Sequence, residues 1–207
     1  MSSKVKKKIL KLKESSTLVI NEKSKDLLSK GKKVYQFGFG QSPFPVPEKI
    51  VEALKKNAHR KEYLPIQGLS ELRENISKYL YKRTGNNYPK ENILITPGSK
   101  EAMLLIHIAF NGEIIIPAPG WVSYEPQAEI GSNKVHWLET KRENNWFPTG
   151  KELEKKIKSI GKNKNLILIL NSPNNPSGVV CNNLEELAKI AKKYKIMVLS
   201  DEIYTDL

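Results

Sequence analysis

The chain has 207 residues, 39% apolar and 28% charged, which is the make-up of a globular protein long enough for one full domain and short of two. No stretch approaches the roughly 18 uninterrupted apolar residues of a membrane span, so a membrane partner is not expected. The formal net charge of +13 is carried mostly by lysine, with arginine only at positions 60, 73, 83 and 142, and these charges are spread along the chain rather than gathered with aromatics on one face, which argues against a nucleic-acid partner.

Residues 1–33 read as a basic arm leading into a lysine-rich amphipathic segment, its sharpest cluster being Lys4, Lys6, Lys7, Lys8, Lys11 and Lys13. Ser2 and Ser3 are there but no arginine, so the arm does not read as a mitochondrial presequence and a cytoplasmic setting is expected. Lys32 to Phe37 reads as a short strand ending in Gly38-Phe39-Gly40, and Pro43, Pro45 and Pro47 then enforce an extended connection. A helix follows over Glu48 to Ala58, with Ile50, Val51 and Leu54 on one face. After a loop with Tyr63, Pro65 and Gly68, a second helix is expected from about Leu69 to Tyr81. Ser70 is its candidate N-cap, with Arg73 where a capping box would want Glu, and Thr84-Gly85-Asn86-Asn87 ends it.

From Ile93 onward the pattern becomes regular. Expected strands are Ile93 to Ile95, Glu113 to Ile116, Lys134 to Leu138, Leu166 to Leu170 and Ile196 to Leu199. Expected helices run over Lys100 to Phe110, from Trp121 through about Ile130, over Lys151 to Ile160 and over Leu184 to Tyr194. This alternation predicts an α/β fold, a mostly parallel sheet with helices on both faces and right-handed crossovers. Ile- and Leu-rich runs with little alternation suit strands buried on both faces. In such a sheet a ligand binds beyond the carboxyl ends of the strands.

Two polar runs stand at such ends: Asn171 to Gly178 after one strand and Ser200 to Tyr204 after the next. Asn175 there is an amide donor suited to a phenolate oxygen, Asp201 a carboxylate suited to a protonated ring nitrogen, and Tyr204 lies three residues on. Asn174 to Gly178 is also a turn sequence and Asp201 an ordinary N-cap residue, so each alone is modest. Gly98-Ser99-Lys100 follows a strand and opens a helix, where backbone N–H groups and the positive helix end suit a phosphate, although taken alone an ordinary N-cap is the stronger reading. Trp121, in a Pro-rich turn after a strand, is placed either to stack on a planar ring or to pack under its loop. Gly38-Phe39-Gly40 fails as a dinucleotide loop, because Pro43 stands at the third glycine position and no helix opens. The lone Cys181 offers no disulfide framework or cysteine zinc site, and His59, His107 and His136 share no ligand spacing, so no metal is expected. His107, within the apolar run 103–110, reads as a core histidine.

In chain order these segments resemble the pyridoxal-phosphate enzymes of the aspartate aminotransferase superfamily, class I/II, fold type I. The resemblance runs from about Val34 to Leu207 on six segments. They are Tyr63, Gly68 to Arg73, Thr96 to Ala102, Pro117 to Tyr124, Asn171 to Gly178 and Ser200 to Tyr204. It implies an N-terminal arm and small-domain segment (1–33) and a partial cofactor-binding large domain (34–207). It further implies pyridoxal 5'-phosphate as cofactor, an L-amino acid and a 2-oxo acid as substrates, and a homodimer at full length. Gly98, Ser99 and Lys100 would hold the phosphate, Trp121 would stack on the pyridine, and Asn175 and Tyr204 would bond its phenolic oxygen. Asp201 would keep the ring nitrogen protonated, Tyr63 would reach the partner subunit's phosphate, and Gly40, Trp121 and Asn175 would meet the substrate. Gly120, Gln41-Ser42-Pro43-Phe44 and Asn111-Gly112-Glu113 depart from the family's pattern on the substrate side.

The family carries its Schiff-base lysine a few dozen residues after the Asp-Glu-Ile-Tyr segment. A fragment or truncated homologue is therefore expected, without a catalytic lysine of its own and without transaminase activity by itself. A lyase, decarboxylase or synthase of the same fold, and a non-enzymatic remnant of a degenerate gene, are the alternative readings.

Overall fold

A computed structural model describes residues 4–206 other than 13, 15, 36, 39, 41, 43 and 162, and not the side chains of 16 and 17. Ser2, Ser3, Lys13, Gln36, Phe39, Gln41, Pro43 and Leu207, all named above, lie outside that set. In chain order the helices are α1 (Lys7–Leu10), α2 (Ser16–Ser29), α3 (Glu48–Asn57), α4 (Ser70–Thr84), α5 (Ser99–Ala109), α6 (Tyr124–Gly131), α7 (Gly150–Ile160) and α8 (Leu184–Tyr194). The strands are β1 (Glu113–Ala118), β2 (Val135–Glu139), β3 (Leu166–Asn171) and β4 (Met197–Asp201). By packing, the chain divides into two compact units, Met1–Ser16 with Gly98–Leu207, and Thr17–Pro97.

The first unit is an α/β sandwich. Its four strands lie in the order β2-β1-β3-β4 and every neighbouring pair is parallel. Parallel strands need crossovers, and the helices that make them cover both faces, as the sequence alternation predicts. The side-chain period of two sorts the apolar run of β3 between those faces. Ile167 and Ile169 join Ile114, Ile116, Met103, Tyr124 and Ala128 beneath α5 and α6. Leu166, Leu168 and Leu170 join Ile115, Leu153, Ile157 and Leu187 beneath α7 and α8. Burying each such side chain contributes about 1.5–3 kcal/mol, which is why β1 and β3 form the centre. A reciprocal capping box fixes the start of α7. The Glu152 N–H donates to the Thr149 hydroxyl at 3.2 Å, and the Thr149 N–H donates back to the Glu152 carboxylate at 2.8 Å. Lys8 reaches from the N-terminal arm to the end of α6, donating to the Ile130 carbonyl and the Ser132 hydroxyl.

The expectation that the strands are buried on both faces holds for β3, all six of whose residues are buried, and fails for β4. Met197 and Val198 remain 56% and 45% exposed, because among the described residues β4 pairs on one side only.

The second unit is helical among its described residues. The strands expected over Lys32 to Phe37 and Ile93 to Ile95 do not form there. A strand needs a neighbour to take its backbone groups, and the Ile95 N–H goes instead to the Gln67 carbonyl at 3.0 Å. Ser70 is the first residue of α4 rather than its cap; Leu69 holds the cap position, with no side-chain bond. Arg73, which looked like a flawed capping box, is buried and works differently. Its guanidinium donates to the Gly68 carbonyl (3.3 Å), the Gln67 side chain (3.0 Å) and the Lys90 carbonyl (2.9 Å), tying together both ends of the segment. Gly68 has φ +94°, and a Cβ there would collide with the Ile95 side chain. At the far end of α4, Gly85 takes the left-handed conformation, as expected.

His107 is fully buried on α5, with neither ring nitrogen hydrogen-bonded, so it is a core residue rather than a base. Burial pushes its pKa below the ordinary value of 6.5. A depressed histidine contributes stability that is present above that value and lost as the pH falls, since the unfolded chain takes up the proton first. His107→Met is expected to unfold at nearly the same urea concentration at pH 5 and pH 7, whereas the wild type loses stability at pH 5.

Candidate functional site

Because the strands are parallel, their carboxyl ends open on one edge of the sheet, and the two neighbours β3 and β4 end there in polar side chains. Asn171 and Asp201 end β3 and β4 as register partners. Beyond β1 the chain turns through Pro119 and Gly120 to Trp121. These ends and the first turn of α5 enclose a cleft of about 110 Å³ lined by Ser99, Met103, Trp121, Tyr124, Asn171, Asn175, Asp201, Ile203 and Tyr204.

Asp201 is the acid of this cleft and is only 7% exposed. Its Oδ2 accepts the Tyr124 hydroxyl at 2.6 Å, and its Oδ1 accepts the Ile203 N–H at 3.3 Å. Among the described residues no cation pairs with it. A buried carboxylate served only by neutral donors has room for a positively charged N–H. The ordinary helix-cap reading of Asp201 is not what the chain builds, since Asp201 closes a strand and turns follow it. Beside it, the Asn175 amide donates to the Tyr204 hydroxyl at 3.0 Å, which joins the two strand ends.

Trp121 lies half-buried on the wall, edge-on to Tyr124 with ring centroids 5.4 Å apart. The Lys100 ammonium stands 5.5 Å from the centre of the indole. At the start of α5 the N-cap is Gly98, with φ +91°, so Ser99 is the first helical residue and its hydroxyl caps nothing. Gly98, Ser99 and Lys100 are exposed, at a helix N-terminus, an end that suits an anion. The structure thus brings Ser99, Trp121, Asn175, Asp201 and Tyr204 around one cleft. Gly40 and Tyr63 belong to the second unit, where Gly40 is exposed and Tyr63 fully so.

Tyr124 and Asn171 escaped the sequence reading as individual site residues. Tyr124 sits 77 residues from the acid it touches, and nothing in the local pattern of α6 marks it. Asn171 stood in a recognised motif but shows no role until β4 is set beside it.

The donor set tests whether a pyridine cofactor fits. An anionic acceptor, an amide–hydroxyl pair, an indole and a helix N-terminus share one cleft, and each matches one part of a phosphorylated hydroxypyridine. They fit it. An open parallel α/β sheet with this strand-end cleft defines a class, and comparison gives the family. The model of the aminotransferase class I and II family matches residues 32–207. The chain is 34% identical to the aspartate aminotransferase of Thermotoga maritima over 98% of its own length and 55% of that protein's. It is 32% identical to the asparagine–oxo-acid transaminase of Streptococcus mutans, over 98% of this chain and 52% of that one. The crystal structure of the Thermotoga maritima aspartate aminotransferase superposes with a TM-score of 0.87 at 32% identity, covering 98% of this chain and 55% of that one. The chain belongs to the class I and II aminotransferases, a family that uses pyridoxal phosphate, acts on amino acids and oxo acids and is generally dimeric. It spans about half the length of the curated relatives it matches.

Burial, and then the neighbouring Asp201, push the Tyr124 hydroxyl well above the ordinary tyrosine value of 10. A raised folded pKa means that this stability is fully present below pH 10 and lost as the pH rises past it, where the unfolded chain gives up the proton first. Tyr124→Phe is expected to cost about 1.5–3 kcal/mol at neutral pH, the worth of a hydrogen bond to a charged group. It should also flatten the loss of stability above pH 10; an unchanged alkaline limb in the unfolding midpoints would contradict this assignment.

Proposed function

We propose that residues 98–207 form one wall of a pyridoxal 5'-phosphate site, in an aminotransferase that moves an amino group between an L-amino acid and a 2-oxo acid. The observation that carries this reading is Asp201, buried in the cleft with neutral donors alone. When bound, the cofactor supplies an electron-withdrawing ring that stabilises negative charge at the substrate Cα.

The chain's own residues do the rest. Asp201 would accept the ring N–H and hold the proton there. Asn175 and Tyr204, already hydrogen-bonded to each other, would share the phenolic oxygen. Trp121 would lie against the ring, and Gly98, Ser99 and Lys100 would receive the phosphate at the α5 N-terminus. In the second unit, Gly40 would let the backbone approach the substrate carboxylate, and Tyr63 would reach the phosphate of a partner subunit in a homodimer. The division into an arm and small-domain segment (1–33) and part of a large domain (34–207) goes with this reading.

No lysine lines the cleft among the described residues. The 207-residue polypeptide by itself would therefore hold the cofactor without a covalent bond and transfer no amino groups.

Pyridoxamine 5'-phosphate tests the reading, because it lacks the aldehyde that would react with surface lysines. It is expected to quench Trp121 fluorescence saturably. Asp201→Asn should weaken binding by about tenfold to a hundredfold, the equivalent of a charge-assisted hydrogen bond. Absence of saturable binding by the wild type would overturn the reading, and formation of oxo acid from pyridoxal phosphate and amino acids at catalytic rates would overturn the claim of inactivity.

A further inference from the structure

The Asn171 side chain is buried and spans the two strand ends that form the cleft. Its Nδ2 donates to the Asp201 backbone carbonyl at 2.9 Å, and its Oδ1 accepts the Asn175 backbone N–H at 2.7 Å. Both partners are main-chain groups of fixed polarity, so the amide has one orientation that satisfies both. A carboxamide offers a donor and an acceptor side by side at this length. Leucine offers neither, and an aspartate carboxylate loses the donor.

The connection does more than close the end of the sheet. Asn175 follows β3 by a turn, and Asp201 ends β4, so the separation of their side chains depends on how that turn is set against the neighbouring strand. The β3–β4 ladder fixes Asn171 opposite Asp201, and the Asn171 amide then fixes Asn175. From there the Asn175 amide reaches Tyr204, three residues beyond Asp201 along the chain.

We infer that Asn171 is a positioning residue that sets the distance between the Asn175 amide and the Asp201 carboxylate, and so matches the cleft to a ring bearing a phenolic oxygen and a basic nitrogen. This inference rests on the cofactor reading above. Asn171 need not touch the ligand. Its effect is geometric: the Ser172 N–H also donates to the Asp201 carbonyl, at 3.2 Å, but only the Asn171 side chain links that carbonyl to the Asn175 N–H, and without it two contacts on opposite sides of the ring can no longer be made together.

The test uses three probes: pyridoxamine 5'-phosphate, its 3-deoxy analogue without the phenolic oxygen, and its 1-deaza analogue with carbon for the ring nitrogen. The wild type is expected to prefer the first over each of the others by about tenfold or more. In Asn171→Ala both preferences should fall to within about threefold. In Asn171→Asp, which keeps the acceptor for the Asn175 N–H, the preference over the 3-deoxy analogue should outlast the other. Simple destabilisation would weaken all three probes alike and leave the ratios unchanged. Amide hydrogen exchange at Asn175 in the ligand-free protein reads the same tie without any cofactor, and should quicken about tenfold or more in Asn171→Ala. Ratios and exchange that match the wild type, in whichever of the two variants folds, overturn the role of Asn171 and leave the cofactor reading standing. A wild type that binds none of the probes overturns the cofactor reading, and this inference with it.

Discussion

A carboxylate taken out of water must be given hydrogen bonds, and in this chain that requirement governs the end of the sheet. Asp201 meets it with the Tyr124 hydroxyl and the Ile203 N–H. The first donor comes from α6 and ties the acid to the helix layer above it. The second turns the chain back after β4 and carries Tyr204 to the cleft. Neither donor is charged, and the acid lies in a partly apolar setting lined by Met103, Trp121 and Ile203. A buried carboxylate with neutral donors alone leaves room for a cationic N–H, which is what the proposed function builds on.

The parallel sheet makes this arrangement available. With all four strands running one way, their carboxyl ends share an edge, and side chains far apart in sequence meet there without any special loop. Packing on both faces of β3 holds those ends rigid, since every residue of that strand is buried. β4 pairs on one side only among the described residues, and its Met197 and Val198 stay exposed. The acid is thus carried by an edge strand, and its bonds to Tyr124 and to the Asn171 side chain hold it from the inner side.

Much of this was legible in the residues. Ile- and Leu-rich runs of strand length, spaced by amphipathic helices, specify a parallel α/β layer because each segment can bury its apolar face only in that way. Leu184 to Tyr194 was delimited to the residue, since its apolar period, acidic start and basic end agree. Asn175, Asp201 and Tyr204 were readable as residues gathered beyond the strand ends, and they line one cleft there. The reading failed where local pattern had no partner to realise it. Lys32 to Phe37 and Ile93 to Ile95 have strand-like composition, but a strand exists only when a neighbour accepts its backbone bonds. Arg73 looked like a defective cap and is instead a buried tie among three backbone and side-chain acceptors.

The sequence by itself determined the element order, the apolar faces and the chemical types gathered at the strand ends, because these follow from side-chain period and from what each residue can donate or accept. Only the tertiary structure decided which of those residues touch. Tyr124 reaches an acid 77 positions away, and Asn171 acquires its two partners once β4 lies beside β3. A hydrogen bond depends on distances of a few ångströms between segments, and those distances are set by packing, which no local pattern encodes.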